Sequence, residues 1–100
     1  METNLESNLR LHAIVEGHVQ GVGFRYYVSE QALFIGLTGW VRNVYDGQVE
    51  VVAEGTRPDL EKLLRYLQRG PSGSYVSSVT EDWSSASGEF HRFSIAPTEF

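Results

Sequence analysis

Apolar residues Leu9, Leu11, Ala13 and Val15 alternate with Arg10, His12, Ile14 and Glu16, the two-residue period of a strand with one face buried. Seven residues containing three glycines follow, Gly17-His18-Val19-Gln20-Gly21-Val22-Gly23. The pattern then changes to Phe24, Val28, Ala32 and Ile35 at helical spacing, with Gly36 as a stop. Leu37 to Asn43 and Gln48 to Glu54 are β-rich runs joined through Tyr45-Asp46-Gly47, a hairpin signal. Thr56 with Asp59 three residues on opens a second helix, whose stripe is Leu60, Leu63, Leu64 and Leu67 and whose terminator is Gly70-Pro71. Tyr75 to Trp83 reads as a fourth strand, Ser84 to Gly88 as a turn, and Phe90 to Ile95 as a short final strand.

The order is βαββαβ with one further short strand. It predicts an α+β ferredoxin-like sandwich, an antiparallel sheet with two helices on one face. Residues 1–8 read as a polar N-terminal tail and 9–100 as the single domain. In that topology strands 1 and 2 run in the same direction with strand 3 between them, so their ends emerge together, roughly 10 Å apart at two strand spacings. The glycine-rich loop and Asn43 therefore face one site.

Composition narrows what such a site can do. At 100 residues with 41% apolar content the chain supports one core. Lys and Arg total 8 against 13 Asp and Glu, a net charge of −5, which removes general attraction to nucleic acid or an anionic membrane, so an anion site has to be local. There is no cysteine, hence no disulfide, thiol catalysis or thiolate metal site. No apolar run reaches membrane length. The first eight residues lack the regions of a signal peptide, so a cytoplasmic protein is expected.

A glycine-rich turn between a strand and a helix N-terminus lets backbone N–H groups converge on an anion while the helix end adds positive potential. The spacing is not a P-loop, whose Lys is missing, nor a dinucleotide fingerprint, because Tyr26 stands at the third glycine position. Arg25 sits in the first helical turn off the apolar stripe, and its side chain leans toward the helix start and the loop. A permanently charged fork there suits a phosphate dianion. Such a turn followed by an exposed Arg also occurs as ordinary architecture. Asn43, just before a hairpin, is open to a reading as a turn former.

The segment Val15-Glu16-Gly17-His18-Val19-Gln20-Gly21-Val22-Gly23-Phe24-Arg25 resembles the acylphosphatase phosphate-loop signature. Gly39-Trp40-Val41-Arg42-Asn43 with Gly47, Val49 and Gly55 is similar to that family's second signature. The resemblance spans about Leu9 to Ile95. It implies a hydrolase acting on small-molecule acyl phosphates. Arg25 and the loop positions Gly17, His18, Val19, Gln20, Gly21 and Val22 would bind phosphate, and Asn43 would orient the attacking water. It also implies a monomer that needs no cofactor or metal. A carboxylate is a good leaving group, so positioning and charge stabilisation suffice.

Val44 departs from the pattern, standing where many relatives carry Thr. His18 could add a donor to phosphate, although the family leaves that position variable, and Gln20 is expected to brace the loop. His12 and His91 are expected as surface-facing strand residues, Tyr26, Tyr27, Trp40 and Phe93 as packing, and Asp59, Glu61 and Lys62 as a solvated helix face.

Three alternatives compete. An RNA-binding module shares the element order, but its aromatic octamer belongs on strand 3, whereas Gln20 to Tyr27 follows strand 1, and the acidic balance opposes it. Acylphosphatase-like domains also begin larger carbamoyl-transfer proteins, whose further regions are not found up to Phe100. An anion-binding module without turnover is the third, and intact Arg25 and Asn43 argue against it.

Overall fold

The alternation at the chain start forms strand β1 (Leu9–His18), which turns Leu11, Ala13 and Val15 into the core. The computed structural model describes residues 7–100, so most of the expected N-terminal tail lies outside the described residues. Helix α1 (Phe24–Ile35) follows the glycine-rich loop and buries Phe24, Val28 and Ala32. Strands β2 (Thr38–Asn43) and β3 (Val49–Gly55) form the hairpin. Helix α2 (Arg57–Arg69) buries Leu60, Leu63 and Leu67, each worth about 2 kcal/mol when withdrawn from water. Thr56 caps it by accepting a hydrogen bond from the Asp59 N–H at 3.3 Å. Strands β4 (Tyr75–Ser85) and β5 (Phe93–Ile95) complete the chain.

The sheet order is β4-β1-β3-β2-β5, with both helices packed over the face that carries Leu11, Ala13, Val15, Val41, Val49, Val51 and Ala53. Tyr27 joins the helices through edge contacts with Phe24 and Tyr66 and donates to the Tyr66 carbonyl at 2.9 Å. Burial raises the Tyr27 hydroxyl above its usual pKa, an effect that Arg69 partly offsets.

The expected α+β sandwich is the observed architecture, with two differences at the end of the chain. Strand β4 runs two residues further than expected, because β1 pairs with it over its whole length, from His18 opposite Tyr75 to Leu9 opposite Ser85. Strand β5 starts later, at Phe93, and lies parallel to β2, so the antiparallel sheet becomes mixed at that edge. The direction follows from the topology. Strand β4 ends where β2 begins, and a chain that crosses there to the opposite edge must then run alongside β2 in the same sense.

Glu54 holds that crossing in place. Its side chain is 3% exposed and accepts from the Ser87 and Gly88 N–H groups at 2.9 and 3.0 Å and from Arg10 Nε at 2.8 Å. Arg10 also lies 5.3 Å from the Phe90 ring. Burial opposes ionisation of Glu54, but the two backbone N–H groups and Arg10 outweigh it and hold the carboxyl below the usual carboxylate range.

Glu54→Gln should therefore lower stability by about 2 kcal/mol at neutral pH, the scale of hydrogen bonds to a buried charge. Because the folded-state value is depressed, this contribution is complete above the usual carboxylate range and disappears as pH falls through the lowered value. Urea unfolding at stepped pH should show parent and variant converging toward acid. A gap that stays constant from neutral to strongly acid pH would show that the Glu54 charge does not anchor the crossing.

Candidate active site

The glycine-rich loop is shaped from its two ends. At the β1 end the register with β4 shifts between Glu16 and Gly17, a bulge that turns the chain out of the sheet. Gly17 has φ +131° and lies so close to β4 that a Cβ would run into the Tyr75 carbonyl oxygen. At the α1 end Gly23 is the N-cap and supplies no side-chain cap. The first turn of α1 carries no acidic residue, and the first bond of its ladder runs from the Tyr27 N–H to the Gly23 carbonyl at 3.0 Å. The leading N–H groups of α1 thus keep the orphan character of an open helix start. Helix α2 differs, since Thr56 and Asp59 occupy its N-terminus.

Between these ends the side chains turn away from the loop's backbone. Val19 is buried and Val22 packs against the core. Gln20 donates through Nε2 to the Val44 and Gln48 carbonyls, both at 2.8 Å. Of the expected phosphate-binding positions, Val19, Gln20 and Val22 therefore have their side chains committed to the protein and offer an anion only backbone N–H. Gly17 and Gly21 have backbone alone. His18 ends β1 opposite Tyr75 with an exposed side chain. Arg25 is the second residue of α1, partly buried, with no ion-pair or hydrogen-bond partner among the described residues.

Asn43 is the last residue of β2, paired with Val49, and the turn lies beyond it. The Val44 N–H donates to the Gln48 carbonyl at 2.9 Å and the Gly47 N–H to the Val44 carbonyl at 3.0 Å, with Gly47 at φ 85°. The turn is made by Tyr45-Asp46-Gly47, and the Asn43 side chain takes no part in it. Its Oδ1 is buried without a hydrogen-bond partner among the described residues. A turn former of this type accepts a local backbone N–H, whereas a buried acceptor left open calls for a functional explanation.

The sequence reading missed how Asn43 is held. The Glu99 N–H donates to the Asn43 carbonyl at 2.9 Å, the Tyr45 N–H to the Glu99 carbonyl at 2.8 Å, and Arg42 Nη1 reaches the Glu99 carboxylate at 3.3 Å. A single backbone bridge between Val44 and Glu99 leaves no hydrophobic period that could have announced it. Two other expectations need correction. Tyr26 is not packed but 73% exposed, and His91 lies outside any strand. His12 is the expected surface-facing residue of β1, with Nε2 2.7 Å from the Glu50 carboxylate. Burial disfavours the Glu50 charge, but hydrogen bonds from His12 and Arg42 prevail and keep its pKa below the usual range.

The family model described as acylphosphatase matches residues 11–95. The acylphosphatase of Pelotomaculum thermopropionicum is 49% identical over 90 residues, covering 90% of this chain and 98% of the relative. The chain belongs to the acylphosphatase family. The crystal structure of acylphosphatase from Bacillus subtilis superposes with a TM-score of 0.85 at 41% identity, over 88% of this chain and 98% of that one. Full-length HypF in its phosphate- and nucleotide-bound form matches with a TM-score of 0.79 at 30% identity, over 91% of this chain and only 12% of HypF. This chain therefore matches the free-standing acylphosphatases along nearly their whole length and HypF only in part.

Gly17→Ala should lower both stability and activity, because the added Cβ meets backbone in a region of φ that other residues rarely adopt. The loss should reach about 2 kcal/mol or more, read as a lowered thermal midpoint together with weaker inhibition by inorganic phosphate. An unchanged midpoint would show that the close approach to β4 does not constrain the loop.

Proposed function

We propose that this acylphosphatase-family chain hydrolyses the carboxyl-phosphate anhydride bond of small-molecule acyl phosphates to a carboxylate and inorganic phosphate. Arg25 and the backbone N–H groups of Gly17 to Val22 hold the phosphate, and Asn43 positions the attacking water. The observation that carries this reading is the buried, unpartnered Oδ1 of Asn43, on a hairpin that Gln20 ties to the loop with the open helix start. An acceptor of that kind accepts a hydrogen bond from water and so aims the water's lone pair, while Arg25 and the N–H groups stabilise charge on the transferred phosphoryl group.

The leaving carboxylate needs little protonation, so no strong acid is required. Among the described residues no group of three or more His, Asp or Glu is placed to hold a metal ion, and the proposed reaction runs without metal or cofactor. The reading takes the enzyme as a monomer with residues 9–100 as its domain. Among the described residues no helix is long and apolar enough to cross a membrane. The reading places the enzyme in the cytoplasm, with neither nucleic acid nor membrane as partner.

Acyl phosphates should be turned over while phosphate monoesters, with poorer leaving groups, stay nearly inert, and exhaustive chelation should leave the rate intact. Comparable rates on both substrates, or activity restored by a divalent ion after chelation, would overturn the reading.

The two side chains should separate kinetically. Arg25→Lys should lose binding and turnover together, because an ammonium does not reproduce the planar fork. Asn43→Ala should lower kcat by about 10²-fold with little change in the inhibition constant of phosphate. An Asn43→Ala enzyme with near-parental kcat would remove this residue from the reaction.

A further inference from the structure

A second basic surface lies on the outer side of the helices. A groove of about 610 Å³ between α1 and α2 is lined by Phe34, Ile35, Lys62, Arg65, Tyr66 and Arg69. No carboxylate lines it, although the chain as a whole carries a net charge of −5. Lys62, Arg65 and Arg69 recur at i, i+3 and i+7 along α2, so three like charges share one helix face and repel one another. Lys62 has a long contact to Asp59 at 3.8 Å. Arg65 and Arg69 have no carboxylate partner among the described residues. Phe34 stands beside them 88% exposed. The groove thus joins an uncompensated anion-binding rim to an apolar wall.

Its nucleophile content is equally uneven. The chain contains no cysteine, and Lys62 is its only lysine. The one side-chain amine therefore lies in the groove, among the two arginines suited to a phosphate dianion. An acyl phosphate is an activated acyl donor at carbon as well as a phosphoryl donor.

The geometry points to Lys62 as a site of covalent self-acylation by acyl phosphates. This inference rests on acyl phosphates being the molecules the enzyme meets. Arg65 and Arg69 hold the phosphate, and the acyl group lies toward Phe34 and Tyr66. After the Lys62 ammonium loses a proton to solvent, the Nζ lone pair forms a bond to the acyl carbon. The bond from that carbon to the bridging oxygen breaks, with its electron pair going to phosphate. The second nitrogen proton passes to the leaving group, so the products are an Nζ-acyl amide and hydrogen phosphate. No oxidant, reductant or further reactant is needed. The amide is neutral, so the reaction removes one of the three clustered charges and limits itself to one acyl group.

The test treats the full chain with acetyl phosphate and follows acetylation by intact and peptide mass spectrometry. One acetyl group on Lys62 is expected, forming roughly fivefold or more slowly in an Arg65→Gln/Arg69→Gln variant, the effect of removing exposed ionic attraction to the phosphate. An uncharged acetyl donor, the N-hydroxysuccinimide ester, should acetylate Lys62 equally fast in both proteins, since it has no phosphate to recruit. Arg25→Ala should still become acetylated at Lys62, which separates this chemistry from hydrolysis at the loop.

Three outcomes would overturn the inference. One is acetylation confined to the α-amino group. Another is an equal slowing with both donors in the double variant. The third is an unmodified Lys62 in Arg25→Ala, even if the parent hydrolyses acetyl phosphate normally. If instead the parent fails to hydrolyse acetyl phosphate while Lys62 is acetylated, the hydrolase reading falls and the acylation site stands.

Discussion

The two hydrogen bonds donated by the Gln20 carboxamide join the halves of the site. One terminus of the glycine-rich loop is set by β1 and the other by α1, whereas Asn43 belongs to a hairpin distant in sequence. Gln20 Nε2 reaches across to the Val44 and Gln48 carbonyls, one on each side of the turn. A single amide thereby fixes the loop relative to the strand that ends in Asn43. The clamp gives each carbonyl a second donor beside the backbone N–H it accepts within the turn. Because the side chain of Gln20 is used in this way, the loop has its backbone left for the phosphate proposed there, and pre-organised backbone costs no reordering when charge arrives.

Charge is distributed to the same end. On the outer face of the sheet, Arg10 is committed to Glu54, and Arg42 to Glu50 and Glu99. At the start of α2, Arg57 pairs with Glu61 and lies 4.3 Å from the Trp83 ring. These pairs leave Arg25 at the loop, Arg65 and Arg69 on α2, and Arg92 just before β5 as cations without a carboxylate among the described residues. In this acidic protein Glu50, Glu54, Glu61 and Glu99 thus pair with guanidinium groups, while those four arginines have no such partner among the described residues. The two helix starts follow the same division. That of α2 is closed by Thr56 and Asp59, whereas that of α1 has neither a side-chain cap nor an acidic first turn.

Much of this was legible along the chain because it depends on local chemistry. The alternation in β1, the leucine stripe of α2, the Thr56 cap and the Asp46-Gly47 turn each report a periodicity or a backbone requirement that neighbouring residues satisfy. They determine the element order, and the element order with the handedness of strands brings the loop and Asn43 to one end of the sheet. The signature residues from Val15 to Arg25 and from Gly39 to Asn43 carried the family, and the matches to known acylphosphatases agree with them.

Long-range pairing decided the remainder. Strand β5 is parallel to β2 because the chain crosses the sheet after β4, and Glu54 anchors that crossing through Ser87 and Gly88, more than thirty residues away. Glu99 pins the backbone around Asn43 through bonds that any residue could make, so no residue type reveals them. The groove of Phe34, Lys62, Arg65 and Arg69 exists only where two helices meet, and each residue alone reads as ordinary helix surface. Residue type and period therefore determined the elements, the signature residues and the end of the sheet at which they meet. Only the tertiary structure decided which acceptor stays unpaired and which cations stay free, because satisfaction of polar groups depends on neighbours distant in sequence.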